Sequence, residues 1–437
     1  MLKTFAILLA ILALPQSLHA QDVSFEALWQ NVKFNAPGIK SSISLAEASE
    51  ATRSRARLHW LPRIYTQGRF FSTNDPGLSF FSLLSQRNVV SSDFNPSTLN
   101  HPEHQLVTQG SLGADIALFE GFSKVAEARM MDFQAEGRNA QYLVAVQKHF
   151  SDSLRAYAMR LVFMEEHRQL QDLKEKLVSI LSRYRVGQTS NPIGYTGLLG
   201  LKNLKNRIDG LLNRLENLDY SQKEMLRGMG ASLSSEWLPV RERAQTFMRA
   251  RRGGATIKAS RESTYTKSAK QMARAASEMK VIQRARWMPK LGLFAEGNLT
   301  NGERATSTSY AGGLYLQWNL FSPTNIKQQA EAEALAASAQ TQAIGVEMQA
   351  IAEADAAKDA ITKIEMNLSL LDESSQMLDE QTRVSKELFQ TGSMNALQLA
   401  EVLNRRVDLL QDRADAETAL IEAHINYYLA TASEEPL

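Results

Sequence analysis

The chain has 437 residues, with 49 Lys and Arg against 47 Asp and Glu, a net charge of +2 and 22% charged residues. That balance points to neither nucleic acid nor an acidic partner. There is no cysteine, which excludes disulfides, thiolate chemistry, cysteine zinc sites and a lipidated N-terminal cysteine.

Residues 1–20 read as a signal peptide. Met1-Leu2-Lys3 is a short basic start, residues 5–14 (FAILLAILAL) are an apolar core, Pro15 breaks it, and Leu18-His19-Ala20 resembles a small-residue cleavage site. The core is too short for a spanning helix, and no later stretch is long and apolar enough to be one. An exported chain of this kind, if it sits in a membrane, does so as a β-barrel.

Next come two predicted strands, over about 61–71 and 108–119, opened by Trp60-Leu61-Pro62 and closed by Leu118-Phe119. A second pair is predicted over about 288–299 and 309–320, opened by Trp287-Met288-Pro289 and closed by Leu320-Phe321. Each is about ten residues long, the length of a tilted membrane-spanning strand. Leu291, Leu293, Ala295, Gly297 and Leu299 share one face, and Gly292, Phe294, Glu296 and Asn298 take the other. In the next strand Leu314 and Leu316 are expected to face lipid, and Gln317 and Asn319 a lumen. This alternation fits a barrel wall, although a half-buried strand of a soluble sheet alternates in the same way. Trp60, Trp287 and Trp318 are placed to act as interfacial anchors.

After each strand pair the apolar spacing changes to threes and fours. Leu143, Val146, Phe150, Leu154, Tyr157, Leu161 and Met164 form one such series, and Leu201, Leu204, Ile208, Leu211, Leu215 and Leu218 another. Helical hairpins are predicted over about 122–227 and 323–430. Some 65 residues at 1.5 Å rise make an arm of roughly 100 Å, far beyond an ordinary globular helix. Each hairpin turns at a glycine, in Tyr184-Arg185-Val186-Gly187 and Phe389-Gln390-Thr391-Gly392. A left-handed glycine closes a helix, and Asn191-Pro192 and Asn395 can then start the returning one.

Phe119 and Phe321, like Gly187 and Gly392, lie about 200 residues apart, so the chain is two copies of one unit. The first repeat covers 21–227 and the second 261–437. Residues 228–260, which carry Gly, Ser and Pro without a clear period, read as the linker or equatorial region between them. Its basic cluster, Arg249, Arg251 and Arg252, reads as solvated surface, because no aromatic is interleaved to stack on bases.

No catalytic, cofactor-binding or metal site is expected. The one close histidine pair, His101 and His104 around Glu103, lies in a polar loop rather than on converging rigid elements. No glycine-rich phosphate loop or nucleophile motif is present. Four strands cannot close a membrane barrel, since the smallest natural ones have about eight. Several copies of the chain must therefore share one.

The corners ALFEGFSKVAEA (117–128) and NLFSPTNIKQQA (319–330) resemble the strand-to-helix junction of the TolC family of outer-membrane efflux and secretion channels, usually Leu-Phe-Asp-Gly-Gly before an alanine-rich helix. Glu120-Gly121 is close to that pattern. Ser322-Pro323 departs from it, with Ser322 as a cap and Pro323 as the first helical residue. The loop FFSLLSQRNVVSSDFNPSTLNHP (80–102) is similar to a longer outer loop in a subset of these channels. The resemblance covers nearly the whole mature chain in both repeats.

The resemblance implies a membrane β-barrel plus a long α-helical coiled-coil barrel. Two internal repeats give four strands per chain, and a homotrimer gives a twelve-stranded barrel in outer-membrane lipid above a periplasmic tunnel. It implies a passive exit duct for a tripartite efflux pump or type I secretion system, joined to an inner-membrane pump by a periplasmic adaptor protein, with no nucleic acid involved. It places adaptor docking at Arg185, Val186, Gly187 and Gln188 and at Thr391, Gly392 and Ser393. It places the periplasmic gate at Phe389, Met394, Gln398 and Glu401. Phe389 stands where the family has a tyrosine, Met394 where it has an arginine, and Gln398 where it has an acid. The alternative reading is a soluble periplasmic coiled-coil adaptor or scaffold, which shares the signal peptide and hairpins but needs no matched alternating strands.

Overall fold

A computed structural model describes residues 22–183, 192–232, 237–254 and 263–436, the side chains of 192–193 and 251–254 excepted. The first half runs β1 (Asp22–Val23), α1 (Phe25–Asn35), α2 (Pro37–Ala56), β2 (Arg63–Thr73), α3 (Pro76–Ser85), α4 (Pro96–Asn100), β3 (Gln105–Phe119), α5 (Ser123–Arg183) and α6 (Pro192–Gly228). The second runs β4 (Leu238–Pro239), α7 (Ala244–Gly254), α8 (Thr264–Ala285), β5 (Lys290–Asn301), β6 (Thr306–Gln317), α9 (Gln328–Gln390) and α10 (Ala396–Thr431). Two compact units form. A sheet unit comprises Ala46–Arg138 and Ser268–Ile344; a helical unit comprises the described residues of 22–45, 139–267 and 345–436.

In the sheet unit four antiparallel strands lie in the order β2-β3-β5-β6, so each repeat supplies one adjacent pair. The strands run past the predicted ends on the side away from the long helices. Those expected at 61–71, 288–299 and 309–320 lie at Arg63–Thr73, Lys290–Asn301 and Thr306–Gln317, and the one expected from 108 starts at Gln105. The added residues are mostly polar: Ser72, Thr73, Gln105, Thr300, Asn301 and Thr306. Apolar alternation marks only the part of a ladder that needs an apolar face, whereas backbone pairing continues beyond it. At the other end β6 stops at Gln317. Asn319 is therefore outside the strand, and Trp318 turns its indole N–H to the Trp287 carbonyl at 3.1 Å.

The two corners differ. In the first, Gly121 and Phe122 take left-handed φ values of 65° and 66°, and α5 begins at Ser123. A Cβ on Gly121 would lie 3.0 Å from the Ala285 carbonyl oxygen, so glycine is required there. In the second, Pro323 opens only a 3₁₀ turn, Pro323–Asn325, and Ser322 makes no capping bond. Ile326 leaves the helical region (ψ 131°), Lys327 takes φ 66°, and α9 starts at Gln328 rather than at 323.

In the helical unit the core is built from α5, α6 and α10. Leu154, Tyr157, Leu161, Leu170 and Leu177 of α5 meet Leu201, Leu204, Ile208 and Leu215 of α6 and Leu399, Leu403 and Val407 of α10. Each such leucine contributes about 1.5–3 kcal/mol by burial. On α6 the buried position is Leu212, while Leu211 and Leu218 pack only partly against the core. Polar ties join the helices on both sides of α10: Arg207 of α6 to Asp408 at 2.5 Å, and Arg406 and Arg413 of α10 to Asp379 and Asp372 of α9 at 2.8 and 2.9 Å.

The segment 237–254 packs into the helical unit. Trp237, Ala244, Phe247 and Met248 are buried in this core, and β4 pairs in parallel with β1. Arg160, fully buried, lies 4.0 Å over the Trp237 ring and pairs with Asp219 at 2.5 Å. Burial opposes ionisation of Asp219, but hydrogen bonds from Arg160 and Lys223 outweigh it and hold its carboxyl below the usual range. The Tyr157 hydroxyl donates to the Val23 carbonyl and accepts the Val240 N–H, both at 3.0 Å. Four apolar anchors at irregular spacing carry no period, which is why this segment reads as linker in sequence. Arg249 lies on exposed surface in α7, 4.0 Å from Glu365; Arg251 and Arg252 are in the same helix, with side chains outside the described ones.

Candidate functional site: a two-faced sheet and a helical turn

The ladder register assigns every strand residue to a face. One row runs Ile64–Ala114–Ala295–Gly312 and the next but one Thr66–Leu112–Gly297–Tyr310, and Leu293 faces Leu314. Leu314 and Leu316 share this face. On it Ile64, Leu112, Tyr310, Leu314 and Leu316 are all more than 60% exposed. The opposite face carries Arg63, Tyr65, Gln67, Arg69, Ser111, Asp115, Glu296, Asn298 and Gln317. Its polar groups partner one another: Tyr65 donates to Glu296 at 3.1 Å, and Arg63 pairs with Asp115 at 3.1 Å. One face is thus apolar and open, the other a polar network, as a wall between lipid and water requires. Trp60, Trp318, Leu320, Phe321 and Phe122 are exposed next to the strand ends that meet the helices, where an interfacial belt belongs. Among the described residues the sheet's edges, β2 and β6, have no strand partner.

The turn of the second hairpin is built from local chemistry. Gly392 takes φ 79°. The Ser393 N–H bonds the Leu388 carbonyl at 2.8 Å and the Gly392 N–H that of Phe389 at 3.2 Å, the paired bonds of a Schellman ending. Asn395 then caps α10: its side chain accepts the Gln398 N–H, and the Gln398 side chain accepts the Asn395 N–H. Thr391, Gly392 and Ser393 are exposed. Arg185, Val186, Gly187 and Gln188 lie outside the described residues.

Of the four positions expected to form the gate, Phe389 and Met394 are half-buried against the helical core. Gln398 is engaged in the capping box, and Glu401 is exposed with Arg405 at 3.3 Å. The turn brings these residues onto one short stretch, in two pairs of different character.

Sequence reasoning missed two features here. Gly197 of α6 lies so close to α10 that a Cβ would fall 2.6 Å from the Ala396 Cβ and 3.1 Å from the Leu397 nitrogen. The small residues at 197 and 396 were legible only as composition. Second, Glu166 of α5 is half-buried; burial first, then the like charge of Asp415 of α10, push its carboxyl up to about 7. Nothing in the local sequence marks it. His101 and His104 are both exposed, and among the described residues no group of three His, Asp or Glu is placed to hold a metal.

By sequence alone the chain matches no family model and no curated protein. Solved structures are another matter. The chain is similar to the outer membrane protein VceC of Vibrio cholerae, at 12% identity and a TM-score of 0.75 over 94% of this chain and 97% of that one. It is similar to the open state of the MtrE outer membrane channel of Neisseria gonorrhoeae, at 12% identity and 0.73 over 94% and 89%. It is also similar to the CmeC outer membrane channel of Campylobacter jejuni, at 12% identity and 0.74 over 93% and 85%. These are TolC-family outer-membrane channels, and the chain has their fold.

Proposed function

We propose that the protein is the outer-membrane exit duct of a tripartite efflux pump or type I secretion system. The observation that carries this reading is the open four-stranded sheet, apolar and exposed on one face, polar on the other, with both edges unpaired among the described residues. An open edge in lipid leaves backbone groups unsatisfied at several kcal/mol each. Three copies joined β2 to β6 close a twelve-stranded barrel and remove both edges.

A second feature supports the same assembly. Met366, Leu370, Met377, Val384 and Leu388 form an exposed apolar stripe on α9 at spacings of four and seven. Such a stripe needs neighbouring helices to cover it, and three copies in a ring supply them as a periplasmic tunnel. A soluble adaptor or scaffold leaves both the stripe and the apolar sheet face in water.

In this reading the chain is a conduit, and the driving energy comes from an inner-membrane pump joined to it by a periplasmic adaptor. The exposed turn at Thr391, Gly392 and Ser393, with Arg185–Gln188 of the first hairpin, is the docking surface. Phe389, Met394, Gln398 and Glu401 form the periplasmic constriction. Phe389 and Met394 close it by packing, and Glu401 is its one acidic ring.

Membrane fractionation tests the reading. The full-length protein should sediment with the outer membrane and run, unheated in mild detergent, at three times the mass of its chain. Purified trimers should give discrete conductance steps in a planar bilayer. A monomer released in the periplasmic wash overturns the proposal.

A further inference from the structure

Residues 74–104, between β2 and β3, form a built element whose polarity is inverted. Asp75 caps α3, accepting the Leu78 N–H at 2.8 Å, and Pro76 is its first residue. The buried positions of α3 are Ser79, Ser82 and Leu83, followed by Gln86, while Leu78, Phe81 and Leu84 are exposed. An ordinary surface helix does the opposite.

The polar side of this element is locked to the β5–β6 turn. Gln86 accepts the backbone N–H groups of Arg304 and Ala305 at 3.2 and 3.1 Å. Asp93 takes the Arg304 guanidinium at 2.7 and 2.8 Å and the Val90 N–H at 2.8 Å. Bidentate pairing of this kind fixes orientation as well as contact. Since the sheet order is β2-β3-β5-β6, a segment that leaves β2 and is tied to the β5–β6 turn crosses the end of the sheet.

It crosses on a definite side. At that end Thr73, Val107 and Thr300 are buried, and all three belong to the polar face. Phe70 and Leu106, at the same level on the apolar face, stay 71% and 47% exposed. The element therefore covers the water side of the wall. Lipid cannot reach its outward surface from there.

We propose that residues 74–104 fold into the outer mouth of the barrel, and that Leu78, Phe81 and Leu84 of α3, with Phe94, meet their own copies from the other two protomers around the axis. The partner of this surface is the same surface, three times over. The result is an apolar constriction at the outer exit, which holds back water and ions by dewetting. This rests on the trimeric-channel reading. It adds a second barrier to the one proposed at the helical turns.

The test uses the full-length trimer in planar bilayers. Replacing the three α3 residues together (Leu78→Ser, Phe81→Ser, Leu84→Ser) should raise single-channel conductance or open probability at least twofold. Phe70→Ser, on the opposite face at the same level, should leave both unchanged. Phe81→Cys keeps the assay independent of the triple variant's folding. The protein has no other cysteine, so a short bismaleimide should link two protomers through this position and lower conductance. Parent-like conductance in a heat-stable triple variant, or Phe81→Cys trimers that never cross-link, overturns the constriction while leaving the trimeric channel intact. A fluorophore at that cysteine quenched by lipid-borne quenchers makes lipid the occupant and also overturns it. If the parent forms neither trimer nor channel, the underlying reading fails as well.

Discussion

Replacing Leu112 by arginine puts the assignment of the sheet faces to a quantitative test. Leu112 is the central residue of β3, Gln105–Phe119, and pairs with Thr66 on one side and Gly297 on the other. It is 63% exposed on the apolar face. Leu316, by contrast, is one residue from the end of β6, so the bilayer midplane falls nearer Leu112. Arginine at the midplane of a barrel's lipid face costs about 2–4 kcal/mol. In the proposed trimer three chains share the barrel, so the assembly would lose roughly 6–12 kcal/mol, comparable to the whole stability of a typical protein. Ser111 is the control: it is next in sequence, points to the polar face and pairs with Gln67 and Asn298. Ser111→Arg places its charge on the polar face, and its cost should stay within about 0.5 kcal/mol. The assay is refolding into lipid vesicles across a urea series, read by the fraction of detergent-resistant trimer. Leu112→Arg should shift the midpoint strongly and Ser111→Arg hardly at all. Equal losses at the two positions, or a larger loss at Ser111, refute the lipid–water assignment.

Three further outcomes are expected. If Glu401 forms the single acidic ring, a trivalent cation on the helical side of a planar bilayer should block the parent channel, and Glu401→Ala should abolish the block; block that persists, or that neither channel shows, removes Glu401 from the gate. Glu166, raised to about 7 from 4.5, binds more protons folded than unfolded between those values, so the protein loses stability as pH climbs through that window. The full shift corresponds to about 3 kcal/mol and to roughly 2 after solvent screening; Glu166→Gln should therefore raise trimer melting by several degrees at pH 8 and leave it unchanged at pH 4. Gly392→Ala should cost roughly 1–2 kcal/mol through its left-handed backbone alone, because a Cβ there meets nothing within 4 Å; a melting temperature equal to the parent's means the turn relaxes.

Much of this architecture is written in local patterns. Alternation in 290–299 and 312–317 distinguishes a wet face from an apolar one because side chains on a strand point alternately to its two sides. The change to threes and fours after Phe119, and the repeat of the whole motif about 200 residues later, mark the hairpins. Gly392 announces its turn because only glycine takes that backbone conformation without strain, and Asn395 caps through its own side chain. Each depends on residues a few positions apart, so each is legible in sequence. The ends of the strands are not, since backbone pairing outlasts the apolar pattern at Thr73, Gln105 and Asn301. Nor is the docking of Trp237 and Phe247, whose partners Arg160 and Tyr157 are some 80–90 residues away and follow no period. The strand order that sets β3 beside β5 was decided by tertiary contact. So was the side of the sheet on which α3 lies, which the burial of Thr73, Val107 and Thr300 and the bonds joining Gln86 and Asp93 to Arg304 decide together. Long-range hydrogen bonds and burial carry that information, and no local spacing encodes it.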